Sequence, residues 1–302
     1  MTRVASIPMQ RTMFNAIQRS QQKLSATQLQ LASGKKAQNY ADLGTDAVRT
    51  LSAHSLLARQ DAHAAVIKRL GTTLSIQDAN VAGIETSAES LRVAALNAVG
   101  TGGSAGLQEA IDAAFQQVRS ALNADEGGVP LFAGSRTDQL PFTPEKLSDL
   151  VGVPVADNFI NDRNRASARV SEGLDVKFGV LASDLGSKIM EGFRTLAEMG
   201  PIGETVTDAQ KATLSDAIKQ IESGLIDIRS INAENGRKQA QIETLGTRSE
   251  DRAILLKELI SRSEDADLAE VGSELKMRQT VLEASYSVFS QLSGLSLVQY
   301  LR

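Results

Sequence analysis

Apolar residues recur every seven positions near both ends of the 302-residue chain. The positions are Ile17, Leu24 and Leu31 near the beginning, and Leu268, Leu275, Leu282 and Phe289 near the end. Seven residues make about two turns of an α-helix, so each set forms one stripe of the kind that pairs helices in coiled coils. The two ends therefore predict long helices that run side by side as an antiparallel hairpin.

The C-terminal segment is also very poor in charge. Between 279 and 301 the only charged residue is Glu283. A helix that faces water on most sides carries charged residues around much of its surface. We therefore expect the last helix to be buried against partners.

Glycine-containing breaks divide the rest of the chain into predicted helices. The first helix is expected to end at Gly34, because glycine readily takes the left-handed conformation that closes a helix. Turns are expected over 39–44 and 100–106. A last helix begins near Asp267, which stands three residues before Glu270 in a capping-box-like pattern. The intervening helices are expected at about 45–99, as one long helix or two joined ones, and at 107–124, 185–199 and 208–262.

The middle of the chain has a different composition, with four of the six prolines between 130 and 184. Strand-like runs occupy 129–134, 166–170 and 174–180. The last two are joined by 171–173, a short connection containing glycine, which predicts a β-hairpin. The predicted fold class is therefore mainly α, with a long antiparallel helical hairpin or coiled coil formed by the two ends and a small β-containing insert in the middle.

The pair Gly34 and Lys35 invites comparison with a phosphate-binding loop. Such a loop needs glycine five residues earlier and Ser or Thr after the lysine, where Leu29 and Lys36 stand. A strand should also precede it, and here a helix is predicted. The second glycine-rich stretch has Ala105 where a dinucleotide-binding loop requires glycine. Both stretches are better explained as helix ends and turns.

Catalytic and metal-binding patterns are also missing from the sequence. His54 and His63 are the two histidines, and a spacing of nine residues places them on opposite faces of a straight helix. There is no cysteine and no HExxH. No GxSxG places a serine on a nucleophile elbow, because the one at 102–106 lies in a predicted turn that no strand precedes. Acidic pairs such as Asp125 and Glu126 stand at turns or helix starts, where carboxylates stabilise helix N-termini. We predict no catalytic, cofactor-binding or metal-binding residue and no enzymatic activity.

Charge is unevenly distributed in this chain of net charge −4, because residues 1–41 carry basic residues and no acidic one. A transit peptide, a membrane-surface helix or nucleic-acid contact would each explain this pattern. A solvated helix face is favoured, since the basic residues cluster only at Lys35 and Lys36. The sequence also has no signal-peptide pattern and no run of 18 apolar residues. We expect neither nucleic-acid binding nor membrane insertion.

Four stretches resemble the flagellin superfamily, and in particular its hook-associated members. In 31–48 a leucine is followed by Ser-Gly-Lys-Lys and an acidic turn leading into helix, and in 130–142 Phe-Ala-Gly is followed by Pro-Phe. The stretch 232–243 is similar to a helix turn of the family, and 261–301 resembles its whole C-terminal helix. The chain departs from the family at 41–44, where many relatives have paired acids and proline.

This resemblance implies a structural axial protein of the bacterial flagellum that polymerises at the junction between hook and filament. It would be extracellular and exported without a cleaved signal peptide. The implied partners are further copies of the chain, another hook-associated protein, flagellin and an export chaperone, and no cofactor is implied. The implied domains are an inner coiled coil of terminal helices at 1–44 and 265–302, a helical rod at 45–134 and 185–264, and a small β-containing outer domain at 135–184. The expected subunit-interface residues are Ile17, Leu24, Leu31, Leu268, Leu275, Leu282, Phe289, Leu292, Leu295, Leu297, Tyr300 and Leu301.

Two other functions explain part of the sequence. Flagellin, the filament subunit, has the same helical ends, although 131–142 and the closing SLVQYLR favour a hook-associated protein. A non-flagellar coiled-coil adaptor would explain the seven-residue spacing, but it would explain neither the β-containing insert nor the charge-poor C-terminal segment.

Overall fold

The structure is a computed structural model that describes residues 3–294, and it is mainly helical, as predicted. Every proline except Pro8 lies outside the helices, as expected for a residue that interrupts them. The region predicted as one or two helices before residue 100 is a single helix of 56 residues. The helices are α1 (Arg3–Ser33), α2 (Asp46–Thr101), α3 (Leu107–Leu122), α4 (Ala182–Glu198), α5 (Asp208–Glu264) and α6 (Leu268–Gly294).

The chain divides into two compact units. The first consists of the described residues of Met1–Arg59 and Arg252–Arg302, and the second of Gln60–Asp251. The first unit contains α1 and α6 with the adjoining ends of α2 and α5. The second contains α3, α4, the strands and the larger parts of α2 and α5. The division into three domains proposed from the sequence stays a prediction.

Two small antiparallel β-hairpins lie in the second unit. Strands β3 (Ser167–Ser171) and β4 (Leu174–Lys177) form the hairpin that the sequence predicts, with Gly173 at a φ of 74° in its turn. Strands β1 (Asp125–Glu126) and β2 (Val129–Pro130) form the other. These strands confirm the small β-containing insert of the predicted fold class.

The strand predicted over 129–134 is wrong beyond its first two residues. Only Val129–Pro130 is strand, and the following residues form bends and turns. Phe132 and Ala133 are buried within the helical core, and the Phe132 carbonyl accepts a hydrogen bond from the Ala182 amide at 2.9 Å. The apolar run is therefore buried against helices, which a strand-like pattern does not distinguish from burial in a sheet.

The core of the second unit is built around aromatic side chains from two helices and the insert. Phe115 of α3 meets Phe193 of α4 edge-on, with ring centroids 5.6 Å apart, and meets Phe142 of the insert at 6.3 Å. All three rings are fully buried. Edge-to-face contacts of this kind are favourable because the ring edge is positive and the face negative. The insert thus shares one core with the helices.

Close approach of α4 and α5 depends on glycine. A Cβ atom placed on Gly224 of α5 would lie 2.6 Å from Cγ1 of Ile189 and 3.0 Å from its backbone nitrogen. A Cβ on Gly192 of α4 would lie 2.7 Å from Cγ1 of Ile221. Either side chain would have to push the two helices apart.

We therefore expect Gly224→Ala to destabilise the second unit by about 1–3 kcal/mol, the usual cost of overpacking a core. The control is Gly236→Ala in the same helix, where a Cβ would meet nothing within 4 Å. Replacing an exposed helical glycine by alanine stabilises a helix by about 0.5–1 kcal/mol. Urea unfolding followed by circular dichroism should give opposite signs for the two variants, and equal shifts would contradict this account of α4 and α5.

No helix within residues 3–294 has the length and apolar character needed to cross a membrane. The same part of the chain holds no group of three or more His, Asp or Glu side chains arranged to bind a metal ion.

Candidate functional site

The two terminal helices pair along their length in the first unit. Arg278 of α6 donates a hydrogen bond from Nη1 to the carbonyl oxygen of Lys23 in α1, at 2.6 Å. Further along, Gln21 hydrogen-bonds to the hydroxyl of Tyr286. Residue numbers thus increase along α6 while they decrease along the contacting part of α1, so the helices run antiparallel. This is the hairpin that the two seven-residue stripes predict.

The seam of this hairpin is spaced alternately by three and four residues, as in a coiled coil. Among the α1 residues whose burial is described, Thr27 is fully buried and Ile17 is 6% exposed. Val271 of α6 is also buried. The remaining seam positions, partly buried, are Met13, Ser20 and Leu24 in α1 and Leu275, Arg278, Leu282, Ser285 and Phe289 in α6.

Arg278 interrupts the apolar seam without leaving an unpaired charge. Its guanidinium hydrogen-bonds to the Glu274 carboxylate one turn earlier, as well as to the Lys23 carbonyl. A charged group inside a seam is costly unless it is paired in this way. The sequence shows that the stripe is imperfect at Arg278, and the structure shows how the imperfection is accommodated.

The predicted subunit-interface residues fall into three groups. Ile17, Leu24, Leu275, Leu282 and Phe289 lie in the seam and are buried or partly buried within this chain. Leu31 and Leu268 are exposed. Leu292 belongs to α6, but its side chain lies outside the described part, as do the residues Leu295, Leu297, Tyr300 and Leu301. A contact between subunits at any of these positions stays a prediction.

At one end of the hairpin, a short backbone pairing joins the residues just after α1 to those just before α6. Gly34 ends α1 with a φ of 68°, which favours glycine, as the sequence predicts. Its carbonyl accepts the Ala266 amide at 2.9 Å, and the Lys36 amide donates to the Glu264 carbonyl at 2.6 Å. The glycine-lysine pair therefore binds the opposite end of the chain rather than a phosphate.

Charged side chains reinforce this joint, and we call Lys35, His54, Glu264 and Asp265 the base cluster. Lys35 Nζ lies 2.6 Å from Asp265 Oδ1 and 3.3 Å from Glu264 Oε2. His54 Nε2 lies 2.6 Å from Glu264 Oε1. Nothing in the sequence indicates these pairs, because Lys35 and Asp265 are 230 positions apart.

The base cluster alters the acid-base behaviour of its members. The hydrogen bond between Lys35 and Asp265 raises the pKa of Lys35 and lowers the pKa of Asp265. Burial disfavours the charged form of Glu264, but hydrogen bonds from His54 and Lys35 outweigh it and hold the pKa of Glu264 below its usual range. The ionised forms of Lys35, Glu264 and Asp265 are therefore the stabilising ones.

Comparison with known proteins shows what the hairpin is similar to. The C-terminal helical region of bacterial flagellin matches residues 218–301, which include all of α6. Two proteins named flagellar hook-associated protein 3 are also similar. The one from Escherichia coli K12 is 24% identical over 61% of this chain and 62% of its own length, and the one from Salmonella typhimurium LT2 is 31% identical over 29% and 28%. The aligned part of the chain thus spans less than two thirds of either relative.

Solved structures show the same fold. A protein from Vibrio parahaemolyticus described as hook-associated superposes with a TM-score of 0.62 over 74% of this chain and all of its own, at 15% identity. The protein FlgL from Bacillus cereus gives a TM-score of 0.58 over 70% of this chain and 99% of its own, at 17% identity. The chain is thus similar to flagellin in its C-terminal region and to hook-associated proteins in its fold. In this chain, both terminal helices and the base cluster form one unit.

Large apolar side chains remain exposed beside the seam of the terminal hairpin. Phe14 of α1 is 53% exposed. Val281 and Val288 of α6 are exposed and seven residues apart, so they form a second stripe beside the seam, and Tyr286 is exposed as well. We call these four residues the flanking surface. The residues predicted from the sequence do not include it, although the spacing of Val281 and Val288 is a usable signal.

Removing Lys35 should loosen the base of the hairpin. Lys35→Met deletes the donor to two carboxylates, and because Lys35 is half exposed we expect a loss of about 1 kcal/mol. Hydrogen exchange of the Ala266 amide, which bonds to Gly34, should become about fivefold faster. Lys23→Met, the same substitution at an exposed position of α1 outside the cluster, is the matched control. Equal exchange in both variants would mean that the cluster does not hold the joint.

Acid should loosen the same joint. Glu264 and Asp265 have lowered pKa values in the folded chain, so their contribution is complete above the unfolded pKa of about 4 and is lost as pH falls through the lower folded value. Protection of the Ala266 amide, corrected for intrinsic exchange, should fall below about pH 4 in the wild type. The fall should be smaller in Lys35→Met, which lacks the cation that these carboxylates face.

Proposed function

We propose that this chain is a structural subunit of the bacterial flagellum that polymerises at the junction between hook and filament. The observation that carries the proposal is the terminal hairpin, which satisfies its own seam and still exposes the flanking surface. Monomeric proteins seldom leave several large apolar side chains exposed along one element without a partner. The names of the curated relatives support the hook-associated position.

Assembly would bury the flanking surface between neighbouring hairpins. Fully burying one Phe or Val side chain contributes roughly 1.5–3 kcal/mol. Several such residues on each subunit, repeated around a polymer, would supply enough free energy to hold subunits whose individual contacts are weak. The seam itself would act within each subunit, holding the two helices in one orientation so that their flanks form a continuous surface.

The remaining features of the proposal follow from the family. The protein would be extracellular and non-enzymatic, and would be exported without a cleaved signal peptide. Its partners would be further copies of itself, another hook-associated protein, flagellin and an export chaperone. Within the polymer, 1–44 and 265–302 would form the inner coiled coil, 45–134 and 185–264 the rod, and 135–184 the outer domain.

Flagellin is the second candidate, because the matching family region is that of flagellin and both proteins use helical ends. The two functions differ in the amount of protein and in its location. A junction subunit is needed in few copies at one place, whereas a filament subunit makes up most of the mass of the flagellum.

Imaging and deletion together test the proposal. An epitope-tagged chain should label one short zone between hook and filament in electron micrographs. Cells lacking it should form hooks, lose motility and release unassembled flagellin into the medium. Labelling along the whole filament would assign the chain to the filament instead, and normal filaments in the deletion strain would contradict both functions.

A further inference from the structure

A cavity of about 250 Å³ lies in the second unit, apart from the terminal hairpin. Its walls are one face of α2, the β1–β2 hairpin, the loop before β3 and the segment after β4. Ligand pockets for drug-sized molecules usually measure roughly 300–1,000 Å³. The space therefore suits a smaller molecule, of the size of one amino acid or one sugar.

The α2 wall carries three polar side chains in a row. Arg69, Thr73 and Gln77 are spaced by four residues and so lie along one face of the helix. Thr73 donates its hydroxyl hydrogen to Glu126 Oε2 at 2.7 Å. Gln77 is 1% exposed, and its Oε1 has no hydrogen-bond donor within the described residues.

Two opposite charges face this cavity without pairing. Arg69 and Glu126 both line it, yet neither forms an ion pair with any residue in the described part of the chain. The other lining guanidinium, that of Arg165, already pairs with Asp184 at 2.9 Å. Arg69 and Glu126 are therefore available to a ligand that carries both an anionic and a cationic group.

The remaining wall is apolar. Leu131 and Phe178 line the cavity and are partly buried, and Val129 lines it from the hairpin. A ligand with an apolar group would cover these side chains while its charged groups faced Arg69 and Glu126. Each such pairing would be a charge-assisted hydrogen bond, which is stronger than a neutral one.

The rim of the cavity is fixed by Asp162. Its Oδ1 accepts the backbone amides of Ser135 and Asn164 at 2.9 and 3.0 Å, and its Oδ2 accepts from their side chains. These bonds, led by the Ser135 hydroxyl, lower the pKa of Asp162 to about 2. Gly134, on the same rim, has a φ of 72°, and a Cβ there would lie 2.1 Å from Asp162 Oδ1. A rim held in this way keeps the cavity open before a ligand arrives.

We propose that this cavity binds a free α-amino acid with an apolar side chain. Its carboxylate would pair with Arg69, its ammonium group with Glu126, and its side chain would lie against Phe178 and Leu131. A neutral sugar would leave both charges unmatched, and a simple anion would face the carboxylate of Glu126. The inference does not depend on the proposed flagellar function, because every residue involved belongs to the second unit.

Calorimetric titration of the full chain with L-leucine tests this assignment. We expect saturable binding with a Kd in the millimolar range or below. The matched probes are 4-methylpentanoate, which lacks the ammonium group, and 3-methylbutylamine, which lacks the carboxylate. Each should bind at least tenfold more weakly than leucine. Equal binding of either probe, or tighter binding of glucose, would overturn the assignment to an amino acid.

Variants locate the site. Arg69→Gln and Glu126→Gln should each weaken leucine binding at least tenfold, and Glu126→Gln keeps an acceptor for the Thr73 hydroxyl. Arg169→Gln removes an exposed arginine of β3 that lies outside the cavity and pairs with Asp175, so it should leave binding unchanged. Unfolding curves in urea will show that the variants remain folded. The absence of wild-type binding at about 10 mM leucine, tenfold above a millimolar Kd, would overturn the proposal.

Discussion

Replacing Ile17 by aspartate is expected to separate the two terminal helices. Ile17 is 6% exposed, the lowest value for an apolar residue in the part of α1 whose burial is described. The substitution loses roughly 1.5–3 kcal/mol of apolar burial and places a carboxylate in the seam at a further cost of several kcal/mol. A two-helix hairpin has little other stabilisation to offset this loss. Hydrogen exchange across α1 and α6 should lose its protection, whereas α3 and α4 in the second unit should keep theirs.

The matched control is Ala16→Asp, which adds the same charge at the neighbouring, exposed position. It should leave exchange in α6 close to that of the wild type. If both variants behave alike, added charge rather than the seam explains the result. If Ile17→Asp keeps full protection, the hairpin is not held by this seam.

Replacing Phe14 by aspartate is expected to leave the monomer folded and to prevent its assembly. Phe14 is exposed in the monomer, so a carboxylate there stays hydrated and should change monomer stability by no more than about 0.5 kcal/mol. In the proposed polymer the same carboxylate would be buried against a neighbouring subunit, at a cost of several kcal/mol. The variant should be exported as a folded monomer and fail to restore motility to a deletion strain.

Asn15→Asp is the control for this variant, because it adds one negative charge at an adjacent exposed position. It should restore motility. Normal incorporation of Phe14→Asp would mean that Phe14 faces solvent in the polymer, and the flanking surface would then need another explanation. Unfolding of Phe14→Asp as a monomer would instead place Phe14 in an internal contact.

Periodicity is enough to predict the helices and the hairpin. Ile17 and Leu282 repeat with the heptad period of their own helices, so each stripe is a local property of the sequence. Gly34 is likewise predictable as a helix end from its local context. The fold class and much of the seam therefore follow from local patterns alone.

Long-range pairing cannot be predicted in the same way. The contact of Lys35 with Asp265 depends on where two distant turns meet, and no spacing in the sequence encodes that. The buried run at Phe132 resembles a strand because apolar burial against helices and against a sheet gives similar short patterns. The stripes also predict a subunit interface that includes Ile17, which stays a prediction. Ile17 is buried within this chain, and Phe14, outside the stripe, is exposed.

The base cluster has a consequence for the order in which parts of the protein fold. Its two sides come from positions 230 residues apart, and the seam joins still more distant ones. Because closing such long loops costs entropy before the contacts form, we expect the hairpin to form late in folding. A chain that emerges from its N-terminus would expose α1 unpaired until α6 appears. A chain truncated before α6 would therefore lack the surface that we propose for polymerisation. In the proposed polymer, only chains carrying both helices would then be incorporated.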